Sequence, residues 1–344
     1  MALSFGVWAP LCGDWLRVRD PQPTPSPAAV VDLAKQADRL GYDVFYVPEN
    51  YLNAVHGPGV PVLDAWVVSS AAVAATERIR VFTACQPGPK TPLAVAKMGA
   101  TLSAFRPQAF GLSCVAGWWP EEAETFGERF LEHADRYARL SEFVDVVRGL
   151  WSEARFDYEG RFYACRDAEL SPRPAVLPPV IVAGESPAAI ELAARVGDYL
   201  FINGGEPEHV SLIAEKLRAR ARSHGRNVRL AASVLVVLRP EQEAAEAAAR
   251  ELVARADLHK IGFFDASIDG AVVGHNRGEL ADKIEPNLGL SAGLVGSPAS
   301  IVRRIRRFEQ AGVELLLAKF ASILGGLEPF AHNVVSAYRR APGP

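Results

Sequence analysis

The sequence predicts an α/β chain folded as a single (β/α)8 TIM barrel, and three observations lead there. Short apolar, strand-like runs alternate with longer stretches whose apolar residues recur at helical spacing, the alternation that yields a parallel sheet flanked by helices. Eight such runs occur, which is the count at which the sheet closes on itself. The turn after the first run, WAPLCGDW, lacks the GxGxxG fingerprint of an open dinucleotide-binding sheet. The 344 residues can bury one large core, so residues 1–344 are read as one domain.

The runs follow in order. LSFGVWA (3–9) comes first, and PQPTPSP (21–27) is a proline-rich loop leading into AAVVDLAKQADRLGYD (28–43). There Ala and Leu return at helix spacing, and Gly41 stands where a helix would stop. YDVFYV (42–47), IRVFTAC (79–85) and AFGLSCV (109–115) are the second to fourth strands. FDYEGRFYACRDAELSPRP (156–174) interrupts the cycle and reads as a hairpin turning at Glu159–Gly160, with a proline-bounded lead-in to PVIVAG (179–184). DYLFING (198–204) is sixth, and AEKLRARARSHGRN (214–227) is a helix ending at Gly225. RLAASVLVVL (229–238) and VELLLAKF (313–320) complete the eight. Residues 241–293 lie between those last two, Ala-rich and charged at first, then punctuated by glycine. Active sites of barrels lie where the strands end, so this insertion is placed to cover the mouth as a lid; an ordinary peripheral excursion fits the pattern equally.

Composition narrows the function. Lys plus Arg total 37 against 40 Asp plus Glu, with no long single-sign run, so nothing marks a binder of nucleic acid or of an anionic membrane. No apolar run reaches bilayer length. The four cysteines lack CxxC spacing and no basic-plus-apolar leader opens the chain, which predicts a cytoplasmic protein with reduced thiols. The seven histidines show no metal-ligand spacing, so no metal site is expected. His56 and His275 are loop residues that could act as acid or base or simply face solvent.

Two anion-type turns stand out. HADRY (133–137) precedes a helical pattern: either Asp135 caps the helix and Arg136 is solvated, or Arg136 and Tyr137 join the helix N-terminus in holding a phosphate. Gly184, Glu185 and Ser186 lie between a buried strand and a helix, where small residues let amides approach a ligand and the serine hydroxyl can cap or donate. The two turns follow the fourth and fifth strands, hence adjacent walls of one mouth.

The strings AFGLSCVAGWWPEEAETFG (109–127), FLEHADRYARLSEFVDVVRGLWSE (130–153), FDYEGRFY (156–163), LSPRP (170–174), VAGESPAAIELAARVGDYLFING (182–204) and GLVGSPASIVRRI (293–305) resemble the bacterial luciferase-like, flavin-dependent monooxygenases. Within them the chain is most similar to the alkanesulfonate, dimethyl sulfone and pyrimidine monooxygenase branch, over most of its length except 241–292. The resemblance implies a barrel, reduced FMN from a separate NAD(P)H:flavin reductase, O2 as co-substrate, and a homodimer or homotetramer. The family's phosphate motif falls on Arg136 and Tyr137 and its glycine–serine turn on Gly184 and Ser186. The strand end along the isoalloxazine falls on Val115, Ala116, Gly117 and Trp118, and further flavin contacts on Glu49, Asn50 and Glu122.

The departures shape the substrate expectation. Where relatives carry Asn before the VTGW-type run this chain has Ser113, a shorter group that can still address the reacting edge of the flavin. The sulfonate-binding His and Arg of the alkanesulfonate enzymes correspond to Leu235 and Ser233, their Cys to Val62, and their Tyr-x-His to Phe320 and Ser322. A mouth without those cations suits a small neutral or apolar substrate. Its expected walls are Trp8, Trp15, Cys85, Trp118, Trp119, Phe320 and Ser322, with Cys85 as a small wall residue rather than a nucleophile. Two rivals remain within the family, a deazaflavin-dependent hydride-transfer enzyme and a flavin-binding paralogue without turnover. Outside it, a phosphate-sugar enzyme could use the same two turns.

Overall fold

Each of the eight runs contains a strand, and the strands close into a ring. The structure, a computed structural model, describes residues 3–20, 24–267 and 279–340. In chain order the strands are β1 (Ser4–Trp8), β2 (Val44–Val47), β3 (Arg80–Cys85), β4 (Phe110–Val115), β5 (Phe156–Glu159), β6 (Ala164–Ala168), β7 (Val180–Ala183), β8 (Tyr199–Ile202), β9 (Arg229–Leu238), β10 (Leu294–Gly296) and β11 (Val313–Phe320). Parallel pairing runs β1-β2-β3-β4-β7-β8-β9-β11 and returns to β1, a closed barrel. β10 adds outside the ring on β9, and β5 with β6 forms the expected hairpin.

The helices are α1 (Pro27–Arg39), α2 (Ala65–Ala75), α3 (Pro92–Phe105), α4 (Pro120–Thr125), α5 (His133–Ser152), α6 (Pro187–Val196), α7 (Pro207–Ser223), α8 (Gln242–Ala254), α9 (Leu258–Ser267), α10 (Leu280–Lys283), α11 (Pro298–Gln310), α12 (Ile323–Phe330) and, after a π-helical turn at Ala331–Val335, α13 (Ser336–Arg340). A repeated device starts several of them. Ser26–Pro27, Thr91–Pro92, Ser186–Pro187 and Ser297–Pro298 each place a hydroxyl where it accepts the backbone N–H three residues on, with proline at the first helical position. That hydroxyl satisfies an orphan donor, and proline there loses no hydrogen bond. None of the helices among the described residues is long and apolar enough to cross a membrane.

Two cores result. Residues facing the helices make one, and the barrel interior makes the other, with Val44, Phe82, Ile181, Tyr199 and Leu315 filling its middle. Glycine is required there by space. A Cβ on Gly111 would stand 2.3 Å from the Phe82 ring, and one on Gly6 would stand 2.5 Å from Leu317 and 2.9 Å from the Val44 carbonyl. Gly111→Ala is expected to cost about 1–3 kcal/mol through overpacking, read as a lower urea midpoint at unchanged slope. An unchanged midpoint would mean the interior is looser than these contacts.

The described parts of the insertion lie over the C-terminal end of the barrel. Arg17 N–H donates to the Ile284 carbonyl (2.7 Å), Asp257 N–H to the Arg17 carbonyl (2.8 Å) and Arg19 N–H to the Arg255 carbonyl (2.9 Å). Leu252, Ile261 and Ile284 pack on Leu16, Val18 and Leu235. The β1–α1 loop therefore anchors the insertion to the mouth. Residues 268–278, which include His275, lie outside the described residues.

Candidate active site

β4 and β7 are neighbours in register, with Val115 opposite Ala183, so the loops that follow them share one rim. α5 starts at His133 with Glu132 in the capping position and no side-chain cap bond. Asp135 is therefore in the first turn and not the cap; it pairs with Arg161 of the hairpin at 2.7 Å. Arg136 is 5% exposed, lies over the Phe130 ring at 4.3 Å and donates through Nη1 to the Leu131 carbonyl at 2.8 Å. Its Nε–H has no partner among the described residues.

Tyr137 turns to the other wall, where its hydroxyl lies beside Gly184 and close enough to Ser186 to interact with it. Ser186 also caps α6 by accepting from Ala189 N–H at 3.2 Å. Gly184 has φ +135, and a Cβ there would meet the Tyr137 oxygen at 2.5 Å, so both conformation and space demand glycine. Gly117 has φ +93 and lies along the Arg136 stem, where a Cβ would be 3.8 Å from Arg136 Cδ. A cleft opens here between Gly117, Gln86, Trp119, Glu122, Phe130 and Arg136.

The two buried carboxylates are tied into the same rim. Glu49 accepts from Lys90 Nζ (2.6 Å), Gln86 N–H (2.8 Å) and Trp66 Nε1 (3.2 Å). Glu122 accepts from the Tyr51 and Leu52 N–H groups (2.7 and 3.0 Å) and from Gln86 Nε2 (3.3 Å). Gln86, one residue past β3, joins them. Burial raises both carboxyls, with the Lys90 ammonium opposing it at Glu49. Asn50 is half-buried beside Glu49. Ser113 faces the barrel interior, fully buried, with its hydroxyl 3.0 Å from that of Tyr46.

The profile of the luciferase-like monooxygenases matches residues 4–315. The chain belongs to the luciferase-like monooxygenase family. It is 32% identical over 316 residues to an FMNH(2)-dependent dimethylsulfone monooxygenase of Pseudomonas putida, covering 89% of this chain and 86% of that one. A pyrimidine monooxygenase RutA of Allorhizobium ampelinum is 31% identical over 235 residues, 65% of this chain and 64% of the relative. Among solved structures, DmoA from Hyphomicrobium sulfonivorans superposes with TM-score 0.81 at 18% identity, covering 100% of this chain and 91% of the other, a likeness of fold.

In this luciferase-like monooxygenase the expected substrate wall is only partly assembled. Trp8 does face inward, its ring near Tyr46 (4.5 Å), Trp15 (5.5 Å) and Phe201 (5.8 Å). Trp118 stacks on Trp119 at 5.6 Å and meets Phe264 of α9 at 5.8 Å. Three other residues are elsewhere. Phe320 packs between barrel and helices, edge-on to Phe330 at 5.6 Å, because its neighbour Lys319 takes the inward phase of β11. Cys85 likewise faces the helices while Ala84 faces in. Ser322 is exposed and caps α12, accepting from Gly325 N–H. His56 is held against Asp14, with Nε2 3.2 Å from its carbonyl oxygen.

Burial pushes the Cys12 and Cys114 thiols up to about 12 and Cys85 well above its ordinary value, so none of the three serves as a nucleophile. A thiol reagent is expected to modify only half-buried Cys165 in the folded luciferase-like chain and the other three upon unfolding. Two fast-reacting native thiols would contradict this.

The mouth also holds cations that the strand comparison did not supply, which corrects the expectation of a mouth without them. Lys319, 1% exposed, pairs with Glu285 of the insertion at 2.9 Å and lies over the Trp8 ring at 4.3 Å. Arg17, fully buried, stacks on Phe264 at 3.6 Å and donates to the carbonyls of Lys283 and Glu285, both at 3.0 Å. A lysine at the far end of a mostly apolar strand was the available signal for the first of them.

Proposed function

We propose that this luciferase-like enzyme binds reduced FMN and uses it with O2 to oxygenate a small organic molecule, the flavin coming from a separate NAD(P)H:flavin reductase. The observation that carries the reading is the convergence of Arg136, Tyr137 and Ser186 beside two glycines with positive φ. The groups suit a phosphate tail: a buried guanidinium with an unpartnered N–H, two hydroxyls, and glycine backbone that a Cβ would obstruct. The dimethylsulfone and pyrimidine relatives, named for FMNH(2) or as monooxygenases, support the same cofactor.

In this reading Arg136 neutralises the phosphate, Tyr137 and Ser186 donate to its oxygens, and Gly117 lets the ring lie against the backbone. Reduced FMN supplies the electrons with which O2 delivers one oxygen atom to the substrate. Ser113 offers a hydroxyl at the reacting edge. Its partner Tyr46 is pushed up to about 12 by burial, so at neutral pH the phenol keeps its proton and the pair remains donor-competent. Glu49 and Glu122 hold the rim through Gln86 and Lys90, and half-buried Asn50 follows Glu49 on the same loop as a further flavin contact. Trp118, Trp119, Phe263 and Phe264 exclude water where the insertion meets the end of β4. The insertion acts as the cover, Trp8 and Trp118 bound the space for an apolar substrate body, and the protein works in the cytoplasm as a homodimer or homotetramer.

The test is FMN titration followed by turnover. FMN should bind in preference to a deazaflavin, and NAD(P)H consumption with a flavin reductase should yield one oxygenated product for a subset of candidate substrates. Preference for the deazaflavin favours hydride transfer, and FMN binding without any turnover across sulfones, amides and small acids favours a non-catalytic paralogue. No binding of either would overturn the reading.

A further inference from the structure

We infer that Arg17 and Lys319, with the Trp8 indole and the Ser233 hydroxyl, form a receptor for an oxyanionic group on the substrate, for which Glu285 supplies only part of the counter-charge. The inference rests on the mouth being the substrate end of the flavin site. It assigns that substrate a carboxylate or similar oxyanion attached to an apolar body.

The polar atoms left without partners here are of one kind. Arg17 Nε and Nη2, Trp8 Nε1 and Ser233 Oγ are buried and unpartnered among the described residues, and each can donate a hydrogen. Arg17 is 0% exposed and Ser233 1%. Ser233 lies opposite Leu317 and Lys319 opposite Leu235, so the serine hydroxyl and the ammonium come from adjacent strands. Lys319 Nζ is 4.3 Å from the Trp8 ring and 5.4 Å from that of Trp15, which places the donors beside an aromatic surface.

Among the described residues the charges do not balance. Asp265 pairs with Lys283 at 2.6 Å and also acts on Arg17, so two carboxylates, Asp265 and Glu285, face three cations, Lys283, Arg17 and Lys319. Glu285 is itself fixed: Oε1 accepts from the N–H groups of Asn287 (3.0 Å) and Gly289 (2.9 Å), and Oε2 takes Lys319. Among the described residues Arg17 uses only Nη1, on two carbonyls. A buried guanidinium with two idle donors and half a counter-ion is a seat for one more negative charge. The contacts from Arg17 to Phe264 and from Phe264 to Trp118 connect this seat to the β4 end beside Gly117. An acid whose oxyanion meets Arg17 and Lys319 would thus present its apolar body toward the flavin edge.

The test uses flavin-free full-length protein titrated with benzoate and with benzamide, read by tryptophan fluorescence and melting temperature. Benzoate should bind at least tenfold more tightly than benzamide, and Arg17→Met should erase that preference. Glu285→Gln should melt lower alone, bind benzoate at least threefold more tightly and recover stability when benzoate is added. Equal binding of the two ligands, or a preference that survives in Arg17→Met, overturns the receptor. Should Arg17→Met not fold, Glu285→Gln decides, and unchanged or weaker benzoate binding overturns the inference. FMN is titrated in parallel. Retained FMN binding without a benzoate preference sinks this inference alone, whereas loss of FMN binding sinks the cofactor reading. Mutual exclusion of FMN and benzoate would hand the cations to the flavin ring and also overturn it.

Discussion

Arg136→Ala is expected to weaken FMN binding about a hundredfold, close to 2.7 kcal/mol, with the fold intact. A guanidinium on a phosphate makes charge-assisted bonds of about 1.5–3 kcal/mol each, strongest where water is excluded. Arg136 is placed for this, being buried, stacked on Phe130 and, among the described residues, hydrogen-bonded only through Nη1. Because that internal bond reaches a nearby loop carbonyl, truncation removes little of the core. Quenching of FMN fluorescence on titration measures the loss, and Arg136→Lys should restore part of it, as a point charge without the planar fork. A loss smaller than fivefold would take this side chain out of the phosphate seat.

Asn53→Ala should destabilise the protein by about 3 kcal/mol and loosen FMN as well. Asn53 is fully buried and all of its amide is used. Nδ2 donates to the carbonyls of Cys12 (3.1 Å) and Pro61 (3.0 Å), while Oδ1 accepts from the N–H groups of Val55 (3.0 Å) and His56 (2.9 Å). Alanine leaves four backbone groups without this partner, of which the Cys12 carbonyl and the Val55 N–H are buried and cost about 1–3 kcal/mol each unless water enters. The loops it pins follow β1 and β2 and lead from Trp15 to Glu49 and Asn50, so the rim should lose order with the stability. Urea unfolding reads the first effect, FMN titration the second, and a change under 1 kcal/mol would refute the pinning role. Asn53→Asp keeps the acceptors and loses the donors, so it should fall below wild type too.

The barrel was legible because strand and helix alternate with few exceptions, and the meeting of Arg136 and Tyr137 with Gly184 and Ser186 because both halves are local: a helix front on one side, a strand-to-helix turn on the other. The substrate wall was less legible for a physical reason. A barrel strand is buried on both faces, so VELLLAKF carries no alternation from which to read that Lys319 points in and Phe320 out. The same ambiguity misplaced Cys85. The cation cluster was hidden by distance, since Arg17 and Glu285 are 268 residues apart and meet only when the insertion folds over the mouth. Gln86 and Lys90 passed unnoticed because a lone amide and a lone lysine after a strand carry no motif; their meaning comes from the two carboxylates they bridge.

Beneath the layer of Tyr46 and Ser113 the interior is solid, closed by Phe82, Tyr199 and Leu315. On the proposed function, flavin and substrate would therefore share one doorway for arrival and departure, and the departure of spent flavin would be tied to how soon the product clears the threshold.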